Sequence, residues 1–390
     1  MRPASEVERR RLNDLFAELC AIPSPSGREG AMAERVAADL RALGYEVSED
    51  DAAAEAGAEC GNLLARLPGR SERSVMLCAH MDTVPHEGVV EPVLVDGGWQ
   101  SAGDTILGAD NKAAVAILLA LAHRAAVEGS PVGVELIFSV SEENGLNGAR
   151  AFDVSALQSD IGFVFDHATP IGEVVVASPT FYRLHAAFRG AAAHAGLRPE
   201  AGRSAILAAA KAIATMPHGR IDEETTANVG TIAGGVGGTN VVAEHCWFDA
   251  EARSLSDAAV ESLVAEMVDR CHDAANDPVC ECDVEITVER VFSAYRHRTS
   301  APGVVAAEAA LRACNYTPQR ILSGGGSDAN AFEANGLHCI NLANGTERNH
   351  ESSERVSQVA LEGMLDVTFA LLDELAESQS TAAGGGPATN

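Results

Sequence analysis

Ser74-Val-Met-Leu-Cys-Ala-His80-Met-Asp82 is an apolar run that ends in a histidine and an aspartate one residue apart. Side chains alternate along a strand with period two, so His80 and Asp82 share a face at the strand's end. The same design recurs along the chain. Val132–Val140 reads as a buried strand ending at Glu142-Glu143, and Ile161–Phe165 as another ending at Asp166. Asp110 opens a long helical stretch to about Val127, and Asn349-His350-Glu351 comes almost two hundred residues after Asp166. In open α/β sheets the carboxyl ends of the strands are where sites form. Two imidazoles and at least four carboxylates at such ends are the ligand set of a pair of divalent metals, with one carboxylate left over for protons. The pattern predicts a two-metal hydrolase.

Each residue type suits a role there. His80 can bind metal through one ring nitrogen while Asp82 receives the hydrogen of the other. Asp110, at a helix start, meets the positive end of the dipole and could bridge two cations. Adjacent Glu142 and Glu143 point differently, so one can bind metal while the other moves protons. A lone His-x-Asp or Glu-Glu pair is more often structural. It is the recurrence at strand ends that reverses the odds.

Composition sets the frame. The chain has 390 residues, which favours two domains over one core. A net charge of −28 argues against a nucleic-acid partner or an anionic membrane surface. Nine scattered cysteines do not form a disulfide framework, no apolar segment follows the N-terminal arginines, and the longest apolar stretch, Ala113 to Ala122, is too short to span a bilayer. A reduced, cytoplasmic protein is expected.

Helical spacing marks Val7 to Leu19 and about Glu29 to Leu43, the second closed by Gly44. Near Thr180 the character changes. Strand-like Tyr182–Phe188, Thr226–Ile232 and Asn240–Ala252 alternate with helical Gly202–Thr215 and Ser256–Ala274. After Phe292 the α/β alternation resumes, and His350 can join the first clusters only if the chain returns to the first domain. The fold expected is therefore α/β: a mixed sheet flanked by helices over residues 1–180 and 293–378, with an α+β unit inserted at 181–292. Residues 379–390 read as a disordered tail.

The strings His80-Met-Asp-Thr-Val-Pro85, Thr105-Ile-Leu-Gly-Ala-Asp-Asn-Lys112, Ser141-Glu-Glu-Asn144, Gly190-Ala-Ala-Ala-His-Ala-Gly196, Gly324-Gly-Gly-Ser-Asp-Ala-Asn330 and Asn341-Leu-Ala-Asn-Gly345 span nearly the whole chain. Together they resemble the M20 metallopeptidases, and most of all their peptidase T-like branch. The resemblance implies a zinc-exopeptidase-like catalytic domain with an inserted lid or dimerisation domain, and a cis peptide at Asp110-Asn111. It implies two Zn2+ per subunit, with Co2+ or Mn2+ as alternatives. His80 and Asp166 would hold one, Glu143 and His350 the other, and Asp110 would bridge them. Glu142 would be general base and acid, Asp82 would orient His80, His194 would stabilise the oxyanion, and Asn240 and Arg253 would contact substrate. The substrate implied is a small peptide, and the partner a second copy docked through the lid. Hydrolysis of N-acyl amino acids or a carboxypeptidase-type reaction is the alternative, and an inactive binding protein a third reading. His167, directly after Asp166, departs from the branch's pattern and is expected to face away from the site. His86 is a candidate for the pocket mouth.

Overall fold

The computed structural model describes Met1–Ala383, Thr169 and Val236 excepted. The chain divides into two compact units. Among the described residues, the first comprises Met1–Val176, Arg296–Leu322 and those from Ser327 onward; the second comprises Ala177–Tyr295 with Ser323–Gly326.

The first unit is built on a nine-stranded mixed sheet. Four parallel neighbours form its centre in the order Gly133–Ser139, Ser74–His80, Ile161–His167 and His338–Ala343. Gly133–Ser139 and Ser74–His80 are almost wholly buried, as strands covered on both faces must be. Leu63–Leu67 adds antiparallel outside Gly133–Ser139. Among the covering helices are Glu6–Cys20, Ala109–Glu128, Pro302–Ala313 and Gln358–Ala383. Ala109–Glu128 is the central one, buried all round its circumference from Ala109 to Leu119 and again at Leu121 and Ala122.

Arg124 on that helix is among the largest fully buried side chains. Its guanidinium bonds Glu8 Oε1 and the carbonyls of Arg2 and Pro3, and it stacks 3.7 Å over the Phe369 ring. One planar cation thus ties the N-terminal strap, the central helix and the C-terminal helix together.

A small second sheet in this unit does more for the site than its size suggests. Pro92–Val95 and Gly98–Ser101 form a hairpin around Asp96-Gly97, both with positive φ, and Gly98–Ser101 then pairs with Arg355–Ser357. Thr346–Glu347 pairs with the other edge of Arg355–Ser357. The loop carrying His350 is therefore the connection between two short strands locked to the segment that leads into Asp110.

The second unit is a five-stranded antiparallel sheet in the order Gly219–Arg220, Thr225–Gly234, His245–Ser254, Thr180–Arg189, Asp283–Phe292. Its alternate residues Leu184, Ala186, Phe188, Phe248, Ala250 and Ala252 pack with Ala208, Ala212, Val260, Leu263 and Met267 of helices Ala205–Thr215 and Asp257–Asn276. Period-two burial in His245–Ser254 matches the alternation expected of a sheet with one covered face.

Element positions mostly follow the sequence reading, with differences at the edges. Asn240 lies before the strand, which begins at His245. The hairpin at Pro92–Ser101, the strand Glu173–Ser178, the edge strand Asp283–Phe292 and the long C-terminal helix are additions. That helix continues to Ala383, into the stretch read as a tail; residues 384–390 lie outside the described residues. Every cysteine is free, and all but Cys314 are buried. Among the described residues no helix is long and apolar enough to cross a membrane.

Candidate metal centre

Five candidate donors and Glu142 converge near the carboxyl ends of the parallel strands. His80 closes its strand, Asp166 is the penultimate residue of Ile161–His167, and Glu142 and Glu143 follow Gly133–Ser139 by a tight turn. Ser141 takes φ +53° in that turn, a conformation few non-glycine residues adopt. The Asp110-Asn111 peptide is cis.

The carboxylate of Asp110 lies between two His–carboxylate pairs. Its Oδ1 is 3.2 Å from His80 Nε2, which in turn is 3.5 Å from Asp166 Oδ1. Its Oδ2 is 3.3 Å from His350 Nε2, which is 2.9 Å from Glu143 Oε1. His80, Asp110 and Asp166 form one group of potential ligand atoms within 4.8 Å of one another, and Asp110, Glu143 and His350 form another. His80 with Glu142 and Glu143 forms a third. Two oxygens of one buried carboxylate, each turned to its own imidazole and its own second carboxylate, fit a pair of divalent cations of the zinc type, which take nitrogen and oxygen donors.

Electrostatics agree with that fit. Burial pushes the Asp166 carboxyl up to about 8 despite the nearby His80. Burial likewise raises Glu142 well above the carboxylate range, with Asp166 and Glu143 adding to it. Burial opposes charge on His80, yet Asp166, Asp110 and Asp82 raise its pKa well above the usual value. The Asp110 and Glu143 carboxylates raise His350 to about 10. Burial works against the Asp110 carboxylate, but His350 and His80 hold it below its ordinary range. So many carboxylates in a dry space favour positive charge among them.

Supporting residues hold the donors. His80 Nδ1 faces Asp82 through its carbonyl at 3.0 Å and its Oδ1 at 3.3 Å. With its proton there, the ring presents the Nε2 lone pair to the cluster. The Asp82 carboxylate also accepts the backbone N–H groups of Glu142 and Glu143 and the hydroxyl of Ser26. Asn349 donates to Asp110 Oδ2 at 2.8 Å. The side chain of Asn341 pairs with both the N–H and the carbonyl of Asp166. His350 sits at φ +68°, and the Arg348–Glu354 loop that bears it is pinned by Glu354.

Glu354 was not singled out from the sequence. It is buried, and its carboxylate accepts the N–H groups of Leu107 and Gly108 on Oε2 and of Asp110 on Oε1, at 2.7–2.9 Å. One side chain thus fastens the His350 loop to the Asp110 loop. Burial raises its carboxyl to about 7. Glu354→Gln places an amide N–H where a backbone N–H already points, so metal affinity is expected to fall about 10- to 100-fold, the range for lost outer partners of metal ligands. Competition against a chelating dye measures this, and wild-type affinity in the variant would refute the positioning role.

His167 turns to Glu173, 3.4 Å away, and takes no part in the candidate metal groups. His86 Nδ1 faces the carbonyl of Val84. His338 is largely exposed at the amino end of its strand, beside Glu333. Lys112 is buried with Nζ 2.6 Å from the Ile22 carbonyl, and burial lowers it to about 8. Asp328, buried, accepts from Ser139 Oγ and Cys78 Sγ behind the strand ends.

His194, Asn240 and Arg253 belong to the second unit. His194 is exposed, and its Nδ1 accepts the N–H groups of Gly196 and Leu197 at 3.2 Å, which leaves Nε2 to carry the proton of the neutral ring. The carbonyl of Asn240 accepts the N–H of Ala195. Arg253 stacks 4.3 Å over Phe181, and its Nε and Nη2 both bind Glu251 at 3.1 Å.

Comparison with known proteins agrees with this architecture. The peptidase dimerisation domain family matches residues 180–277, and peptidase family M28 matches residues 62–170, the stretch holding His80, Asp110, Glu142, Glu143 and Asp166. The chain is 36% identical to the uncharacterized protein YqjE of Bacillus subtilis, over 95% of this chain and 100% of that one. It is similar to the crystal structure of aminopeptidase PepT from Bacillus cereus, with 36% identity, 94% and 99% coverage and a TM-score of 0.83. A tripeptidase from Staphylococcus aureus superposes with a TM-score of 0.88 at 32% identity, covering 95% of this chain and 99% of that one. The chain belongs to the M20 family of peptidases, in its peptidase T-like branch.

Proposed function

We propose that this chain is a two-metal exopeptidase acting on tripeptides and other short peptides with a free amino terminus. The observation that carries the reading is the split carboxylate of Asp110, each oxygen serving a different His–carboxylate pair. His80 and Asp166 would hold one ion, Glu143 and His350 the other, with Asp110 common to both. Zn2+ suits these donors best, and Co2+ or Mn2+ could replace it. Such a pair supplies Lewis acidity, which lowers the pKa of water and polarises a carbonyl.

The rest is the work of side chains. Glu142 takes the proton of the attacking water on a carboxylate oxygen and delivers it to the nitrogen of the departing amine. Without that delivery an amide anion would have to leave. Burial of Glu142 lifts its pKa toward the working range of a base that must also serve as an acid. His194, with its proton on Nε2, donates to the oxygen of the former carbonyl. Asn240 and Arg253 bind the substrate's far end, Arg253 through Nη1, which Glu251 leaves open and which makes only a 3.5 Å contact with the Gly324 carbonyl.

A panel of free tripeptides, N-acetylated tripeptides, tripeptide amides and N-acetyl amino acids, each with Zn2+, Co2+ or Mn2+, tests this reading. Free tripeptides are expected to be cleaved at least tenfold faster than N-acetylated ones. Turnover confined to N-acetyl amino acids would move the assignment to a deacylase. A preference for free carboxylates over amides is what the Arg253 role requires.

His194→Ala should lower turnover by about a hundredfold, the loss seen when one oxyanion donor is removed, with metal content unchanged. Full activity would end the oxyanion role. If the ring comes from the partner subunit of a dimer, mixing inactive His194→Ala with inactive Glu142→Gln protein restores some activity. If it comes from the same chain, mixing restores none.

A further inference from the structure

The amino ends of the same parallel strands carry a second cleft, of about 520 Å3, wholly within the first unit. That volume lies within the range of small-molecule sites. Arg73 precedes the Ser74–His80 strand, and Ile161 opens Ile161–His167, whereas His80 and Asp166 stand near the other ends. Seven residues at about 3.3 Å each put the cleft roughly 20 Å from the metal donors. Nothing in the hydrolytic scheme uses it.

Its chemistry has two halves. Ile161 and Ile340, both buried, give an apolar floor, and Gly303 lies so close that a Cβ there would come 2.7 and 2.9 Å from their side-chain carbons. Around this floor stand Arg73, Arg296 and Arg298. Arg298 is exposed, and its guanidinium makes no hydrogen bond or ion pair among the described residues. In a chain of net charge −28, three guanidiniums gather around one cleft; Arg73 Nη1 already bonds the Leu375 carbonyl, so Arg298 is the one the cleft offers a ligand.

Of the two acids present, Glu333 is already engaged. Its Oε1 accepts the N–H of Cys339 at 2.7 Å and lies 3.6 Å from His338 Nδ1. Asp160 alone remains as an exposed counter-charge. The helix Pro302–Ala313 also starts at the cleft, without a side-chain cap or an acidic residue in its first turn, and its dipole adds to the positive potential.

We infer that this cleft binds a small carboxylate with an apolar body, at a site separate from the metal centre. The arginine fork suits a carboxylate in two-point contact, Ile161 and Ile340 suit an aliphatic side chain, and Asp160 suits an ammonium group. A free aliphatic amino acid satisfies all three, and an N-acyl amino acid satisfies two. This inference stands on the cleft alone and does not depend on the peptidase reading.

Calorimetric titration of the metal-loaded enzyme with L-leucine, N-acetyl-L-leucine and L-leucinamide tests it, alongside Arg298→Ala and Arg298→Glu. Arg298 is exposed, so both variants should fold. L-leucine is expected to bind, and Arg298→Ala to weaken that binding tenfold or more. Arg298→Glu should abolish it, with peptide turnover at saturating substrate unchanged in both. Tighter binding of L-leucine than of its N-acetyl form identifies a free amino acid as the ligand, and the reverse order identifies an acyl anion. L-leucinamide binding as well as L-leucine would overturn the proposal. Binding that ignores both Arg298 variants, or no binding at 10 mM (about a thousandth of the affinity of a 10 µM ligand), would do the same.

Discussion

Glu142→Gln is expected to lower turnover by roughly a thousand- to ten-thousandfold while fold and metal content stay at wild-type values. Loss of a general acid–base residue costs up to about 10^4, equivalent to about 5.5 kcal/mol of barrier. The other possible job of Glu142 is metal binding, since it lies with His80 and Glu143 in the third group of potential ligand atoms, and metal retained in the variant separates the two roles. Its N–H is bound to Asp82, and its carboxyl group makes no hydrogen bond among the described residues. Each of the neighbouring ligand candidates, by contrast, lies within 3.5 Å of another donor of the cluster. Glutamine keeps the shape and removes the proton site. Residual turnover near wild type, in folded and metal-replete protein, would take the proton-carrying role away from Glu142.

The candidate donors could be picked out of the sequence because they are histidines and acids placed where apolar strands stop. His80, Glu142, Glu143 and Asp166 each close such a run, and strand-end convergence follows from parallel topology. Glu354 could not be found in the same way. Its partners are backbone N–H groups at Leu107, Gly108 and Asp110, and backbone groups leave no residue-type signal. Asn349 and Asn341 share this difficulty, since asparagine is common in loops for local reasons.

Some further fold features carry plain sequence signals. Asp96-Gly97 between short runs is a standard hairpin signal, and Val284, Ile286 and Val288 alternate as an edge strand does. Leu361, Met364, Leu365, Thr368, Phe369, Leu372 and Leu375 repeat at helical spacing through the C-terminal helix, and all are buried. Arg253 shows the opposite case. A carboxylate-binding role fits its residue type, yet the structure already gives two of its donors to Glu251.

Asp110→Ala and His350→Ala should differ in a countable way. Wild-type enzyme purified with zinc is expected to carry about two ions per chain, the loading a two-metal site implies. His350→Ala leaves His80, Asp110 and Asp166 as one three-donor group, so about one ion should remain, since three protein ligands suffice for a zinc site with an open position. Asp110→Ala removes the donor common to the two groups and, with Glu142 kept for the proton rather than for metal, leaves two pairs, His80 with Asp166 and His350 with Glu143. Two protein donors per ion fall short of the three a zinc site uses, so both ions should be lost on dialysis. The variant should still fold, because the bonds from Glu354 to this loop run to backbone N–H groups and survive the change. Elemental analysis counts the ions directly. Thermal unfolding gives an independent reading, since bound metal at a hundred times its Kd stabilises by about 2.7 kcal/mol. Chelator should lower the melting temperature of wild type by several degrees, of His350→Ala by less, and of Asp110→Ala not at all. Two ions retained by Asp110→Ala would show that this carboxylate is not shared between them, and the two-metal reading of the site would fall with it.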